Sequence, residues 1–364
     1  MSASAFSSSK PAPPSQLPLA GVKICDLSQG VAGPYCGLLL AQQGAEVVKI
    51  EPPGGDWLQH LGVQAHGQGP HYWYLNRGKQ RRTLDLRSSD GRQAAIELAM
   101  QSDVLLASFR PGVLERMGLG AQAMLAARPE LVHCTISGFG TTGPMASRPA
   151  VDGVIQALGG WMTINRTAQG HPRPLAYFPI DMLAGMYAFQ TVLAALIRRW
   201  RSGSGSAHDV GLLHAAAAFL GPRLFEHACE QGRPRDLFSS PNGAYRTRDG
   251  WYMVAVTTQA QFEQVCEALS CPEIARDPRF ASRQLRIDHR AALDELVAAR
   301  MTLLDSAECD RAFAAAGAMG APVLDLQGVL DHPQLAAIGG FEHLDTAWGK
   351  GLPVATTPGA DIIS

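Results

Sequence analysis

From residue 19 onwards, short unbroken apolar runs alternate with stretches in which apolar positions recur every three or four residues. An unbroken run reads as a strand covered on both faces, and the three-to-four spacing reads as a helix with one buried stripe. The pattern predicts a strand over 22–28, a helix opened by Pro34 over 34–43, and a second strand over 45–51. It then predicts a helix over 91–101 before a strand at 104–109, and a helix over 121–127 before a strand at 131–137. Such alternation implies an α/β fold with a mostly parallel sheet covered by helices on both faces. A helix over 153–161 and a long apolar one over 182–200 follow. After them come the turn Ser202-Gly203-Ser204-Gly205 and a helical, alanine-rich segment at 214–219.

Beyond about residue 241 the texture changes. Positions 242–256 alternate as a hairpin does, with Asp249-Gly250 as its turn, and amphipathic helices are expected over 259–269 and 289–301. We therefore expect a large domain at 19–225, a linker and smaller α+β domain over 226–325, and a return segment to the large domain at 326–364. Residues 1–18 are rich in Ser, Pro and Ala, carry Lys10 as their one charged side chain, and read as a disordered tail. They lack the apolar centre of a signal peptide.

Composition narrows the function classes. With 364 residues, 46% of them hydrophobic and 17% charged, the chain can bury a sizeable core. Lys and Arg number 31 against 32 Asp and Glu, a net charge of -1, so no overall field draws it to nucleic acid or to an anionic membrane. Any anionic ligand has to be held by a local cluster. No uninterrupted apolar run reaches the roughly 20 residues of a membrane span; the nearest, at 182–200, is broken by Gln190. The seven cysteines lack the paired spacing of a zinc or redox site, which suits reduced thiols and a cytoplasmic location.

Five places could carry chemistry. Gly138-Phe139-Gly140-Thr141-Thr142-Gly143 fits a dinucleotide fingerprint after a strand, but Pro144 and Pro149 bracket a segment without helical pattern. The pyrophosphate would then lack its helix N-terminus. Gly118 to Ala123 opens a helix but lies too far from its strand. No P-loop, HExxH or GxSxG occurs. The basic knot Asn76-Arg77-Gly78-Lys79-Gln80-Arg81-Arg82-Thr83, with Arg110 and Arg116 downstream, reads either as a phosphate site or as a solvated loop. Asp181 stands at the mouth of the long helix, where amides and dipole favour an anion. It reads either as a helix cap or as a carboxylate kept ionised for nucleophilic attack. Asp152, before the helix at 153, has the same ambiguity.

In order along the chain, Leu19-Ala20-Gly21-Val22, Asp26-Leu27-Ser28, Val31-Ala32-Gly33-Pro34 and the stretch 44–56 resemble the class III CoA-transferase family, also called CaiB/BaiF. So do the stretch 109–119, Ile136-Ser137-Gly138-Phe139-Gly140 with Thr142-Gly143-Pro144, and Asp277-Pro278-Arg279-Phe280. The resemblance covers about 19–358. It implies a Rossmann-like large domain, a smaller α+β domain and an intertwined homodimer. It also implies exchange of CoA between an acyl-CoA and a small carboxylic acid, with no tightly bound cofactor or metal and with coenzyme A as substrate. Asp181, four residues before Gly185, matches the nucleophile. The CoA contacts carried over are Gly30, Val31, Ala32, Lys79, Phe109 and Arg116, and the loop of Ser137, Gly138, Gly140 and Gly143 would border the site.

The family also contains α-methylacyl-CoA racemases, in which a histidine precedes the aspartate matching Asp152 and an acid stands near the position of Gln259. Here Val151 occupies the first position, and a valine relays no proton. Ser108 and Ser206 stand where many relatives have Asn and Gln. The glycine-rich lid of oxalate-type members is not visible at 239–245. A third reading is a non-catalytic subunit of a two-chain transferase; the retained Asp181 argues against it.

Overall fold

Six short strands form the parallel sheet expected from the apolar runs: β1 (Lys23–Asp26), β2 (Glu46–Glu51), β3 (Gln80–Thr83), β4 (Val104–Ala107), β5 (Val132–Ser137) and β6 (Ser206–Gly211). Their order is β3-β2-β1-β4-β5-β6, and every neighbouring pair is parallel. All four residues of β4 are buried, as a strand covered on both faces requires. The chain winds outward from β1 to β3 and then restarts at β4 on the other side. The loops after β1 and β4 therefore leave the sheet in opposite directions and open a crevice at the strands' C-terminal ends.

The computed structural model describes residues 17–167, 169–232 and 239–359. All but the last two residues of the expected tail lie outside them. The described chain divides into two compact units, one of 17–225 with 342–359 and one within 226–341.

In the first unit the sheet is joined by α1 (Ala32–Gln42), α2 (Pro70–Asn76), α3 (Ser89–Met100), α4 (Val113–Arg116), α5 (Ala121–Ala127), α6 (Asp152–Leu158), α7 (Trp161–Ile164) and α8 (Pro179–Ser202). The expected helix over 153–161 stops at Leu158, because Gly160 takes φ +81 and the chain restarts as α7. Two strands escaped the apolar pattern for one reason. β3 reads Gln-Arg-Arg-Thr with all four residues exposed, and β6 alternates partly, so both edge strands lack the run that marks a covered strand.

α8 buries Ile180, Ala184, Gly185, Ala188, Val192, Ala195 and Leu196, a stripe at three-and-four spacing. All of these but Gly185 join α1 and the sheet in one core cluster. By length and composition the helix could cross a membrane, contrary to the sequence expectation, yet its stripe is core. A Cβ on Gly185 would lie 2.6 Å from the Ala32 carbonyl oxygen. Only glycine lets the two backbones approach so closely.

The second unit holds the expected hairpin, β7 (Asn242–Arg246) and β8 (Trp251–Ala255), extended by β9 (Gly320–Pro322) into an antiparallel sheet. Helices Gln259–Ala268, Arg290–Met301 and Ser306–Ala316 contribute Phe262, Val297 and Phe313 to a core shared with Tyr252. Two short helices, Leu326–Leu330 and Pro333–Ala337, stay with this unit, so the chain rejoins the first unit at 342 rather than 326. The returning hairpin, β10 (Phe341–Thr346) with β11 (Gly349–Ala355), accepts a hydrogen bond from Tyr74 Oη at the Ala355 carbonyl, 3.3 Å.

Candidate active site

The loop between β1 and α1 is held from below by two ion pairs whose four side chains are fully buried. Asp26 accepts from Ser28 N at 2.9 Å and from the Ser28 hydroxyl, and pairs with Lys79 Nζ at 3.0 Å. Lys79 also donates to the Pro34 carbonyl at 2.8 Å and to Asn76 Oδ1 at 3.1 Å. Lys49 pairs with Asp56 at 3.0 Å and donates to the Ser28 carbonyl at 2.6 Å, while Asp56 accepts from Gly30 N at 3.1 Å and Leu58 N at 3.0 Å. Burial works against the Asp26 anion, but Lys79 and Lys49 outweigh it and hold the acid below its usual range. Burial pushes the Lys79 ammonium down to about 8, against the attraction of Asp26.

This corrects one expectation. Lys79 was expected among the CoA contacts, but its side chain is fully buried and its ammonium is taken up by Asp26, the Pro34 carbonyl and Asn76. The basic knot is divided likewise: Arg77 lies over the Tyr74 ring at 4.2 Å and Arg81 donates to Tyr72 Oη at 3.2 Å. What the buried pairs do hold in place is the turn Gly30-Val31-Ala32. Gly30 takes φ +79, and a Cβ there would sit 2.6 Å from Trp57 Cζ2. The turn delivers Val31 and Ala32 to the start of α1, which has no side-chain cap and no acidic residue in its first turn.

The second half of the site is built around Asp152. Its Oδ2 accepts from the amides of Ile180 at 2.7 Å and Asp181 at 3.0 Å, and its Oδ1 accepts from Gln156 Nε2 at 2.6 Å. Asp152 thus satisfies the first amides of α8 from another helix, which settles the cap question raised by the sequence. Asp181, inside the first turn of α8, caps nothing, and none of the described residues donates a hydrogen bond to its carboxylate. Burial, and then the Asp152 carboxylate, push its acid up to about 7. The expectation of an anion favoured by the helix end is overturned: Asp152 already occupies those amides, and desolvation dominates what remains.

Asp181 and Gly185 are four apart, hence on one face of α8. The close approach at Gly185 sets that face against the first turn of α1. Asp181, Gly30, Val31, Ala32, Ser137 and Gly138 all line one cavity of about 800 Å³. Gly140 and Gly143 are outside this lining. The Gly140 amide donates to Ser137 Oγ at 3.0 Å and the Thr141 amide to Asp209 Oδ2 at 2.9 Å, so the glycine loop is tied to β6. Phe109 lines a neighbouring cavity of about 500 Å³ with Leu27, Ile50, Pro52 and Met117. Gln29 lines both cavities. Arg116 is exposed and borders neither.

Sequence reasoning missed Gln29, Trp57, His71, Gln156 and Tyr177, which also line the larger cavity, and mentioned Ser108 only as a departure. Gln29 and Ser108 were findable, because they follow β1 and β4, the strands that border the crevice; Ser108 Oγ accepts from the Gln29 amide at 2.9 Å. The others come from helix and loop positions that only packing brings together.

The chain matches the family model of CoA-transferase family III over residues 19–360. It is 36% identical over 292 residues to succinyl-CoA–D-citramalate CoA-transferase of Chloroflexus aurantiacus, covering 78% of this chain and 72% of that one. It is 30% identical over 325 residues to succinyl-CoA:glutarate CoA-transferase of Homo sapiens, covering 87% and 74%. Among solved structures, a CaiB/BaiF family protein from Brucella suis superposes with a TM-score of 0.85 at 29% identity, covering 95% of this chain and 93% of that one.

Proposed function

The chain belongs to CoA-transferase family III, and on that premise we propose that it moves coenzyme A from an acyl-CoA to a carboxylic acid with Asp181 as the covalent way-station. The observation that carries this reading is a carboxylate to which no described residue donates, lining a cavity, in a helix turn whose amides Asp152 has already taken.

An Asp181 oxygen attacks the thioester carbonyl, the C–S bond breaks, and CoA leaves as thiolate. The product is a mixed anhydride between Asp181 and the donor acyl group. The thiolate attacks the Asp181 carbonyl carbon, expels the donor acid as carboxylate, and forms an Asp181–CoA thioester. The acceptor carboxylate then attacks that carbon and releases the thiolate. Attack of the thiolate on the acceptor acyl group of the second anhydride forms the new acyl-CoA and restores Asp181. One thioester replaces another, so the exchange is nearly neutral in free energy.

A carboxylate whose acid titrates near 7 is more basic, and so a stronger nucleophile when ionised, than an ordinary aspartate. The uncapped first turn of α1 supports Val31 and Ala32 as amide donors for the thioester oxygen, with Gly138 beside them. The Gly140 and Thr141 amides are engaged elsewhere and do not serve. The smaller cavity suits an adenine ring between Leu27, Ile50, Phe109 and Met117, and shared lining by Gln29 supports a pantetheine path along the β1–α1 turn.

Met186, Ile197 and Trp200 of α8 and Val154 and Leu158 of α6 are exposed. That apolar surface supports a homodimer in which a second copy covers it. The small acids named for the relatives support exchange between small carboxylates, and the free cysteines suit the cytoplasm.

Mass spectrometry of the protein incubated with acetyl-CoA tests the mechanism. The expected result is a hydroxylamine-trappable adduct on the peptide containing Asp181, absent in Asp181→Asn. A wild-type protein that turns over without any modification of that peptide would falsify the covalent route.

A further inference from the structure

We propose that His71 is the side chain that recognises the acceptor's carboxylate, and that the acid it selects carries one carboxylate on an apolar body. The inference rests on the reading of Asp181 given above and adds to it the class of acid. Among the described residues lining the larger cavity there is no lysine or arginine, and His71 is the one side chain able to carry positive charge. Its ring makes no hydrogen bond to a described residue, so its N–H is free for a ligand.

The ring is also held in place. Its centroid lies 5.9 Å from that of Tyr177 and 6.0 Å from that of Phe178, the latter edge-on, and these two residues lead directly into α8 and Asp181. From below, α2 is anchored by Tyr72, which is buried and donates to Glu51. A half-buried imidazole between two aromatic rings is a fixed donor that loses little freedom when it binds an anion.

The remaining titratable groups of the lining decide the class of acid. Two are carboxylates: Asp152, whose oxygens already accept three N–H groups, and Asp181, which attacks. The third is the Tyr177 phenol. The other lining is mostly apolar, including Val31, Ile136, Leu175 and Leu212. A second carboxylate on the acid would be an extra anion without a cation, which is costly in such surroundings. A single carboxylate on His71 leaves the apolar walls for the hydrocarbon.

The test uses the full chain with acetyl-CoA as donor and butyrate or succinate as acceptor. Butyrate is expected to exceed succinate in kcat/KM by about tenfold or more, and His71→Leu to raise the KM for butyrate by about tenfold. That variant keeps the thermal unfolding of wild type, which shows that it is folded, and still forms the adduct on Asp181. His71→Asn, which keeps an N–H donor, recovers part of the loss. An unchanged KM for butyrate in His71→Leu overturns the role of His71, and succinate turning over as well as butyrate overturns the class of acid. Exchange of the α-proton of 2-methylbutyryl-CoA without an acceptor, lost in His71→Leu, would assign His71 to proton transfer and overturn recognition. Absence of any adduct in wild type sinks the reading of Asp181 instead.

Discussion

Asp26 and Asp56 each sit on a buried lysine, whereas Asp152 and Asp181 share a cavity lined by no lysine or arginine among the described residues. Both sets border the same crevice. In the first, opposite charges and hydrogen bonds saturate one another, the Asp26 acid is held low, and the result is a rigid turn at Gly30. In the second, Asp152 is saturated by amides while Asp181 is left with only burial and a like charge, and its acid rises to about 7. Four buried or half-buried carboxylates thus divide by their partners into three that build the site and one that is free to react.

The comparison can be broken from either side. The largest effect is expected from Asp181→Asn, with CoA exchange falling on the order of thousandfold or more in a steady-state assay; exchange at the wild-type rate would end the distinction. The same variant gives a stability signature. An acid raised from 3.8 to about 7 stabilises the fold fully below 4, and that contribution is lost as pH rises through 7. Asp181→Asn, which cannot ionise, should therefore gain on wild type between pH 4 and 7 and stay ahead above it. About 4 kcal/mol is the upper bound, read by denaturant unfolding at pH 3.5 and pH 8.5.

Next in size is Lys49→Met, which strands the Asp56 carboxylate beneath the Gly30 turn. It should cost about 3–5 kcal/mol of stability at pH 7, and Lys49→Met with Asp56→Leu should recover most of it. Equal stability of wild type and the single variant would mean the pair does not support the turn. Smallest is Asp152→Asn, which keeps an acceptor for the α8 amides, so unfolding should shift by less than about 1 kcal/mol. Removing the like charge lowers the Asp181 acid, so the acid limb of the pH–rate profile should move to lower pH. A limb that stays in place would show that burial alone sets the titration.

The parallel sheet was legible because β4 is apolar throughout and β1 and β5, buried along most of their length, carry enough apolar residues to stand out as runs. Edge strands carry no such obligation, so β3 hid inside a basic knot and β6 inside a polar stretch after a glycine turn. Asp181 was legible as a residue but not in its state. Its position at a helix start argued for a favoured anion, and only the arrival of Asp152 from a helix 27 positions upstream reversed that argument. His71 and Gln156 left no mark, since a single polar residue in an apolar helix has no periodicity to reveal which cavity it meets.

Local order and composition determined by themselves the alternation of strand and helix, the α8 stripe, the glycines at 30 and 185, and the set of carboxylates available for chemistry. Each follows from backbone sterics or from the need to bury apolar surface, which act over a few residues. The tertiary structure alone decided which carboxylates meet lysines, which meets only amides, and which meets no partner among the described residues. The energy of a buried charge depends on neighbours that the chain brings from far away, and no local pattern encodes them.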